Sequence, residues 1–229
     1  MFFNLNYLIY MIPAFILMAA TSWYVKSAYN KWSQVPSRSG LTGAQAANRL
    51  IASAGLYGVQ IQPIAGQMTD NYDPRTKVLN LSQGVGGTSS VAALAIAAHE
   101  LGHAMQDAED YLPLRLRAAL VPAVNIGSNL GWVMIMIGLF IGITQLAWLG
   151  VMVFALGAVF SLATLPVEFD ASARAKRMLA SSGLISGSEM DGVNNVLNAA
   201  ALTYVAALVT SVMQLLYYAS LVGGGRRRS

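Results

Sequence analysis

Both histidines of the protein lie in the stretch Ser90-Val-Ala-Ala-Leu-Ala-Ile-Ala-Ala-His99-Glu100-Leu-Gly-His103-Ala-Met-Gln-Asp107. Its apolar composition predicts a buried helix. Residues four apart on an α-helix share one face, so His99 and His103 could bind one metal ion. Glu100 lies about 100° further round the helix, where it could act on a water without being a ligand. The pattern predicts a zinc hydrolase with Glu100 as general base.

The composition of the whole chain restricts both the metal ligands and the class of protein. The sequence contains no cysteine, so nitrogen and oxygen atoms must hold the metal. Hydrophobic residues make up 55% and charged residues 10%, against about 25% charged residues in soluble domains. The mean hydropathy is +0.53. These values predict a membrane protein, and the lipid bilayer is therefore an expected partner. The net charge of +4 does not indicate nucleic-acid binding, because the basic residues flank apolar segments instead of forming a stripe.

Uncharged segments of about 20 residues or more predict four membrane crossings. The chain then divides into a first transmembrane helix (1–25), a metallopeptidase-like insert containing the histidine helix (26–117), a transmembrane hairpin (118–166), a polar segment (167–192), a fourth transmembrane helix (193–223) and a basic tail (224–229). In the hairpin, the two crossings are expected at about 119–143 and 146–166, joined by a turn near Thr144.

The distribution of basic residues predicts the orientation in the membrane. Lys26, Lys31 and Trp32 follow the first crossing, as is typical of a cytoplasmic interface. An external N-terminus would place residues 26–117 and 167–192 in the cytoplasm, together with eleven of the 14 Lys and Arg residues. The basic tail conflicts with this pattern, because a complete fourth crossing would place it outside.

The third protein ligand of the predicted zinc site must be a carboxylate, because both histidines are used. Glu168 is favoured because it directly follows an apolar helix, where a carboxylate is costly unless a cation neutralises it. Asp107, one turn beyond His103, and Asp170 with Arg174 could orient ligands, or could be solvated surface groups. The other acidic residues on the same predicted side are Asp70, Asp73, Glu109, Asp110, Glu189 and Asp191.

Two short strands are expected before the histidine helix, at 59–64 and 77–82, with a turn signal at Asn71-Tyr-Asp-Pro-Arg75. The sequence therefore predicts a β-hairpin whose edge holds an extended substrate, or a hairpin that only completes the fold. The expected substrate-binding residues are Val78, Leu79, Asn80 and Leu81.

The predicted fold is a mainly α membrane protein with about four transmembrane helices and a cytosolic α+β zincin-like insert. Thr42 with Gln45 predicts a capping box, and Thr88, Ser89 or Ser90 a cap for the histidine helix.

Several of these segments resemble the YugP-type neutral zinc metallopeptidases of bacterial membranes. They are Tyr72-Asp-Pro-Arg-Thr-Lys77, Leu81-Ser, Gly84-Val, Ser90-Val-Ala-Ala, Ala98-His-Glu-Leu-Gly-His-Ala-Met-Gln106 and Leu165-Pro-Val-Glu-Phe-Asp-Ala-Ser172. The resemblance implies a zinc-dependent endopeptidase of the gluzincin type in the bacterial inner membrane, with Glu168 as third ligand.

The leading functional hypothesis is a membrane-embedded endopeptidase with one Zn²⁺ per chain, acting on peptides or on membrane or membrane-proximal proteins. The alternative is a non-catalytic adaptor or assembly factor stabilised by zinc, which predicts a closed site with four protein ligands. A transporter is disfavoured because the ionisable residues stand outside the apolar segments. The sequence leaves open whether cleavage is intramembrane or at the membrane surface, and whether the chain forms a homo-oligomer or binds another membrane protein.

Overall fold

The computed structural model describes residues 5–224 and is mainly helical. In chain order the elements are α1 (Leu5–Ser33), α2 (Gly43–Ala54), β1 (Gln60–Ile64), β2 (Asn71–Asp73), β3 (Val78–Ser82), α3 (Gln83–Gly86), α4 (Val91–Ala108), α5 (Leu112–Phe140), α6 (Thr144–Phe154), α7 (Leu156–Ser182) and α8 (Gly187–Gly224). The predictions for Arg226, Arg227 and Arg228 lie outside the described residues.

Four helical stretches are long and apolar enough to cross a membrane, as the sequence predicts. They are Leu5–Ser33, Leu112–Phe140, Thr144–Ser182 and Gly187–Gly224. These helices have 29 to 39 residues, whereas a crossing needs about 20. The helices are longer than the predicted crossings because regular helix continues into the polar segments on either side.

The described part of the chain forms two compact units. The first unit comprises residues 5–22, 115–165 and 203–224, and glycines allow its helices to approach closely. A Cβ atom at Gly138 would lie 2.5 Å from the backbone nitrogen of Ala147, and one at Gly150 would lie 2.6 Å from that of Ile135. Small residues at contacts of this kind are typical of helices packed in lipid. Large apolar side chains such as Phe140 and Ile126 remain exposed on this unit, as expected of a surface that faces lipid.

The second unit comprises residues 23–114 and 166–202, and α4 lies within its core. Leu94 and Leu101 of this helix are fully buried, which accounts for a sequence that is apolar on nearly all sides. Ser90 caps α4 by accepting a hydrogen bond from the amide of Ala93. The predicted capping box of α2, Thr42 with Gln45, is present.

The N-terminus of α8 is anchored in the second unit by the buried side chain of Glu189. Its carboxylate accepts hydrogen bonds from the backbone amide and the hydroxyl of Ser186, at 2.7 and 2.6 Å. It also accepts one from the amide of Arg38 at 2.7 Å. The start of α8 is thereby joined to the loop between α1 and α2.

The sheet differs from the predicted hairpin. It has three strands in the order β1-β3-β2, with β1 and β3 parallel and β2 and β3 antiparallel. The two strands expected from the sequence therefore pair in parallel, and the hairpin is formed by β2 and β3. The predicted turn at Asn71–Arg75 is wrong in position, because Asn71, Tyr72 and Asp73 pair with β3 and the turn occupies residues 74–77.

The position of β3 also corrects the predicted substrate-binding strand. Val78, Leu79, Asn80 and Leu81 lie in the central strand of the sheet, and all four pair with β1. Their main-chain groups are used within the sheet, so this strand cannot accept a substrate at its edge. Within residues 5–224, the open edges of the sheet belong to β1 and β2.

Candidate metal centre

Three of the predicted site residues meet at one point in the second unit. His99 and His103 lie on one face of α4, with ring centroids 4.9 Å apart. Glu168 of α7 approaches both, because its Oε2 atom lies 3.3 Å from Nε2 of His99 and 3.5 Å from Nε2 of His103. Among the described residues, these three form a cluster whose possible ligand atoms lie within 4.8 Å of one another.

A close contact between the backbones of α4 and α7 brings Glu168 to the histidines. Gly102 lies between them in the sequence, and a Cβ atom there would be only 2.4 Å from the carbonyl oxygen of Ala171. The absence of a side chain at Gly102 thus allows α7 to pack against α4 three residues after Glu168. The site depends on this contact because a carboxylate side chain is short.

The chemistry of the three groups and the two histidine–carboxylate distances fit a zinc ion. Two imidazole nitrogens and one carboxylate oxygen form a common catalytic ligand set that leaves a fourth position for water. Two atoms bound at about 2.0–2.1 Å to a tetrahedral zinc ion lie about 3.3–3.4 Å apart. The nitrogen–oxygen distances of 3.3 and 3.5 Å match this separation.

Glu100 lies beside the three-residue cluster and against the edge strand β2. Its Oε2 atom accepts a hydrogen bond of 3.1 Å from the backbone amide of Tyr72. Burial raises the pKa of Glu100, although the nearby imidazoles act in the opposite direction. Burial lowers the pKa of His103, but the contact with the Glu168 carboxylate and the negative charges of Glu100 and Glu168 outweigh this effect, so that the pKa is raised. A raised pKa makes the Glu100 carboxylate a stronger base, as the role of proton acceptor requires.

The second ring nitrogen of each histidine has a partner that the sequence analysis did not predict. The Nδ1 atom of His99 lies 3.1 Å from the hydroxyl of Ser172. The Nδ1 atom of His103 lies 3.0 Å from the side-chain oxygen of Gln106. Helical spacing could have predicted both partners. Gln106 is three residues after His103, and Ser172 is four residues after Glu168, so each lies on the same helix face as a predicted ligand.

Asp170 and Arg174 contribute indirectly. The Oδ2 atom of Asp170 accepts hydrogen bonds from the Gln106 amide at 2.9 Å and from the Arg174 guanidinium at 2.5 Å. Asp170 therefore acts on His103 through Gln106. Arg174 also binds Glu109 at 2.7 Å, which links α7 to the residue that follows α4.

Asp107 binds the β2–β3 hairpin, whereas the sequence suggested that it could orient a histidine. Its carboxylate accepts a hydrogen bond of 2.7 Å from the hydroxyl of Tyr72 and forms an ion pair with Lys77. These contacts fix the β2–β3 hairpin to the end of α4. Because of this anchor and the Tyr72 amide contact, β2 lies next to Glu100.

Comparisons with known proteins agree with this geometry. Residues 7–223 match a family model described as "Putative neutral zinc metallopeptidase". The chain is 44% identical over 202 residues to "Putative membrane protease YugP" of Bacillus subtilis (strain 168), an alignment that covers 88% of this chain and 90% of the relative. No solved structure matches the chain. The resemblance inferred from the motifs is confirmed, and the chain belongs to the family described as "Putative neutral zinc metallopeptidase".

Proposed function

We propose that the protein is a zinc-dependent membrane endopeptidase of the gluzincin type. In this proposal His99, His103 and Glu168 hold one Zn²⁺ per chain, and Glu100 is the general base. The observation that supports it most directly is the position of the Glu168 carboxylate. Its Oε2 atom, from α7, lies 3.3 Å from Nε2 of His99 and 3.5 Å from Nε2 of His103, both on α4. Membership of a zinc metallopeptidase family supports the same assignment.

The chemistry follows from the roles of these groups. A zinc ion in this site would lower the pKa of a bound water and polarise the carbonyl of the peptide bond. Glu100 takes a proton from the attacking water and returns it to the leaving amine. Burial raises its pKa, which makes the carboxylate a stronger base for the first of these steps. Ser172 and Gln106 hold the two imidazoles in place.

The edge strand β2 is the better candidate for the substrate-binding strand. An extended peptide adds to an open edge by main-chain hydrogen bonds, and β2 is the open edge that lies beside Glu100. In this arrangement Asn71, Tyr72 and Asp73 hold the substrate, which takes the place of the Glu100 carboxylate at the Tyr72 amide. The anchor formed by Asp107 with Tyr72 and Lys77 holds the strand beside Glu100.

We further propose that the protein is a multi-pass protein of the bacterial plasma membrane with its active site on the cytoplasmic side. The four apolar helices and the relative's name support the membrane assignment. The side rests on the excess of basic residues in the segments 26–117 and 167–192. The substrates would then be peptides or membrane and membrane-proximal proteins.

The composition of the cluster disfavours the adaptor hypothesis. A structural zinc site is closed by four protein ligands, but the cluster found among the described residues contains three. Neither Asp107 nor Asp170 belongs to this cluster. Asp107 is bound to Tyr72 and Lys77, and Asp170 to Gln106 and Arg174.

The test compares two substitutions in the detergent-solubilised full chain. Glu100→Gln should retain one zinc per chain and lose roughly 10²–10⁴-fold in the rate of cleavage of an unstructured peptide. Glu168→Ala should lose the zinc. Asp191→Asn, which removes an exposed carboxylate of α8, is the matched control and should cleave at the wild-type rate. Cleavage by Glu100→Gln at the wild-type rate contradicts the mechanism, and zinc retention by Glu168→Ala contradicts the ligand set.

A further inference from the structure

Gln106 is fully buried and joins the two helices of the candidate metal centre. Its side-chain oxygen faces Nδ1 of His103 at 3.0 Å. Its amide nitrogen lies 2.7 Å from the carbonyl oxygen of Val167 and 2.9 Å from Oδ2 of Asp170. One side chain therefore contacts a histidine on α4 and two groups on α7, on either side of Glu168.

The partners of Gln106 determine which way its amide points. The carbonyl oxygen of Val167 can only accept a hydrogen bond, and the Asp170 carboxylate is an acceptor that also binds the Arg174 guanidinium. An amide NH₂ group has two hydrogens, and these two acceptors use both. The atom that faces His103 must therefore be the oxygen, which has no hydrogen to donate.

This orientation decides the tautomer of His103. Because the Gln106 oxygen only accepts, Nδ1 of a neutral His103 must carry the hydrogen and donate it. The lone pair then lies on Nε2, the atom that points toward Glu168. We infer that Gln106 is a positioning residue that holds His103 in the Nδ1–H tautomer, with Nε2 available for a metal ion. The inference deepens the proposed function, on which its significance for zinc binding rests.

His99 lacks an equivalent restriction. Its Nδ1 atom faces the hydroxyl of Ser172, and a hydroxyl can donate or accept. The contact with Ser172 is compatible with either tautomer of His99. The two histidines thus differ: one is held by an amide whose direction is fixed, and the other by a group that adapts. The inference therefore applies to His103 alone.

The first measurement determines the tautomer by ¹⁵N NMR of the imidazoles in the Glu168→Ala variant. This substitution removes the competing acceptor near Nε2, so that the tautomer reports on Gln106. The spectra are recorded at about pH 9, well above the usual histidine pKa of about 6.5. The chain has only two histidines, so adding His99→Asn assigns the signals. We expect His103 as Nδ1–H with Gln106 intact, and a mixture with Nε2–H once Gln106→Met is added.

The second measurement is zinc affinity, by competition with a chelator, in the otherwise unchanged chain. Gln106→Met should weaken zinc binding by roughly 10- to 100-fold. Gln45→Met is the matched control, because it removes a side-chain hydrogen bond from the capping box of α2 and leaves the histidine contacts intact. The control should bind zinc as the wild type does, which separates the effect on His103 from a general loss of stability.

Two results would overturn the inference. One is an Nε2–H tautomer of His103 while Gln106 is intact, which can be seen even when Gln106→Met does not fold. The other is a folded Gln106→Met variant that keeps the Nδ1–H tautomer and the wild-type zinc affinity. Neither measurement depends on peptide cleavage. A chain that binds zinc but cleaves nothing refutes the proposed peptidase and leaves the role of Gln106 intact.

Discussion

Replacement of Gly102 with alanine should weaken zinc binding, although the residue is neither a ligand nor a catalytic group. The added Cβ would lie 2.4 Å from the carbonyl oxygen of Ala171 and 3.0 Å from the carbonyl carbon and Cα of that residue. Because nonbonded heavy atoms pack best at about 3.5–4.0 Å, the two helices must separate by about 1 Å. The ligand distances between Glu168 and the histidines, now 3.3 and 3.5 Å, would then exceed the span of one zinc ion.

The size of the effect follows from the cost of the contact. Overpacking a well-packed core by one methyl group costs about 1–3 kcal/mol. The metal-free protein can relieve this strain by letting α7 move away, whereas the zinc-bound protein must keep Glu168 at the histidines. The strain therefore falls on the bound state, and the affinity for zinc should drop by about 5- to 150-fold.

The assay is chelator competition on the solubilised full chain, with thermal unfolding of the metal-free protein measured in parallel. Gly187→Ala is the matched control, because a Cβ at Gly187 meets nothing within 4 Å. It should bind zinc and unfold as the wild type does. If Gly102→Ala binds zinc with the wild-type affinity, the close approach of α4 and α7 is not what brings Glu168 to the site, and the reasoning is refuted.

Three further predictions concern stability and topology. Burial raises the pKa of Glu189, but hydrogen bonds from Ser186 and the Arg38 amide outweigh it and hold the pKa below its usual value. This carboxylate therefore stabilises the fold above its unfolded-state pKa of about 4.3. The contribution should vanish as the pH falls through the lower folded-state value, so that Glu189→Gln and the wild type differ in thermal stability at pH 7 and converge in acid. Zinc removal by a chelator should lower the unfolding temperature, because zinc binds only the folded site, and no change on chelation would contradict this. Because the chain has no cysteine, single cysteines at Gln67 and Thr144 should react with an impermeant thiol reagent from opposite sides of the membrane, and labelling of both from one side would contradict the proposed topology.

The features that the sequence predicted correctly rest on local signals. The capping box of Thr42 and Gln45 and the Ser90 cap involve residues no more than three apart. The four apolar stretches are likewise visible as composition. Chain neighbours alone determine these features, so they can be recognised without knowledge of the fold.

The strand pairing depended on distant partners and was predicted incorrectly. Asn71, Tyr72 and Asp73 carry the composition of a turn, yet they form β2 because β3 offers them an antiparallel partner. The pairing of β1 with β3 is parallel because the connection from residue 65 to 77 crosses to the other end of the sheet. Neither choice is encoded in the pattern of the strand itself, so the edge beside Glu100 could not be identified in advance.

The choice of Glu168 as third ligand depends on helix packing as well as on the charge pattern of the sequence. Composition left nine acidic candidates on the predicted side of the membrane, and polarity alone favoured Glu168 among them. The structure supplies a geometric reason, since Glu168 lies one turn before Ala171, which contacts Gly102 between the two histidines. A small residue inside the histidine motif, together with a small residue three positions after an acidic one, allows two helix backbones to touch and a short carboxylate to reach the histidines. The same pattern also occurs at Asp170 with Ala173 and at Glu189 with Gly192, so it reduces the nine acidic candidates to three. The cost of burying a carboxylate after an apolar helix is then the argument that favours Glu168 among them.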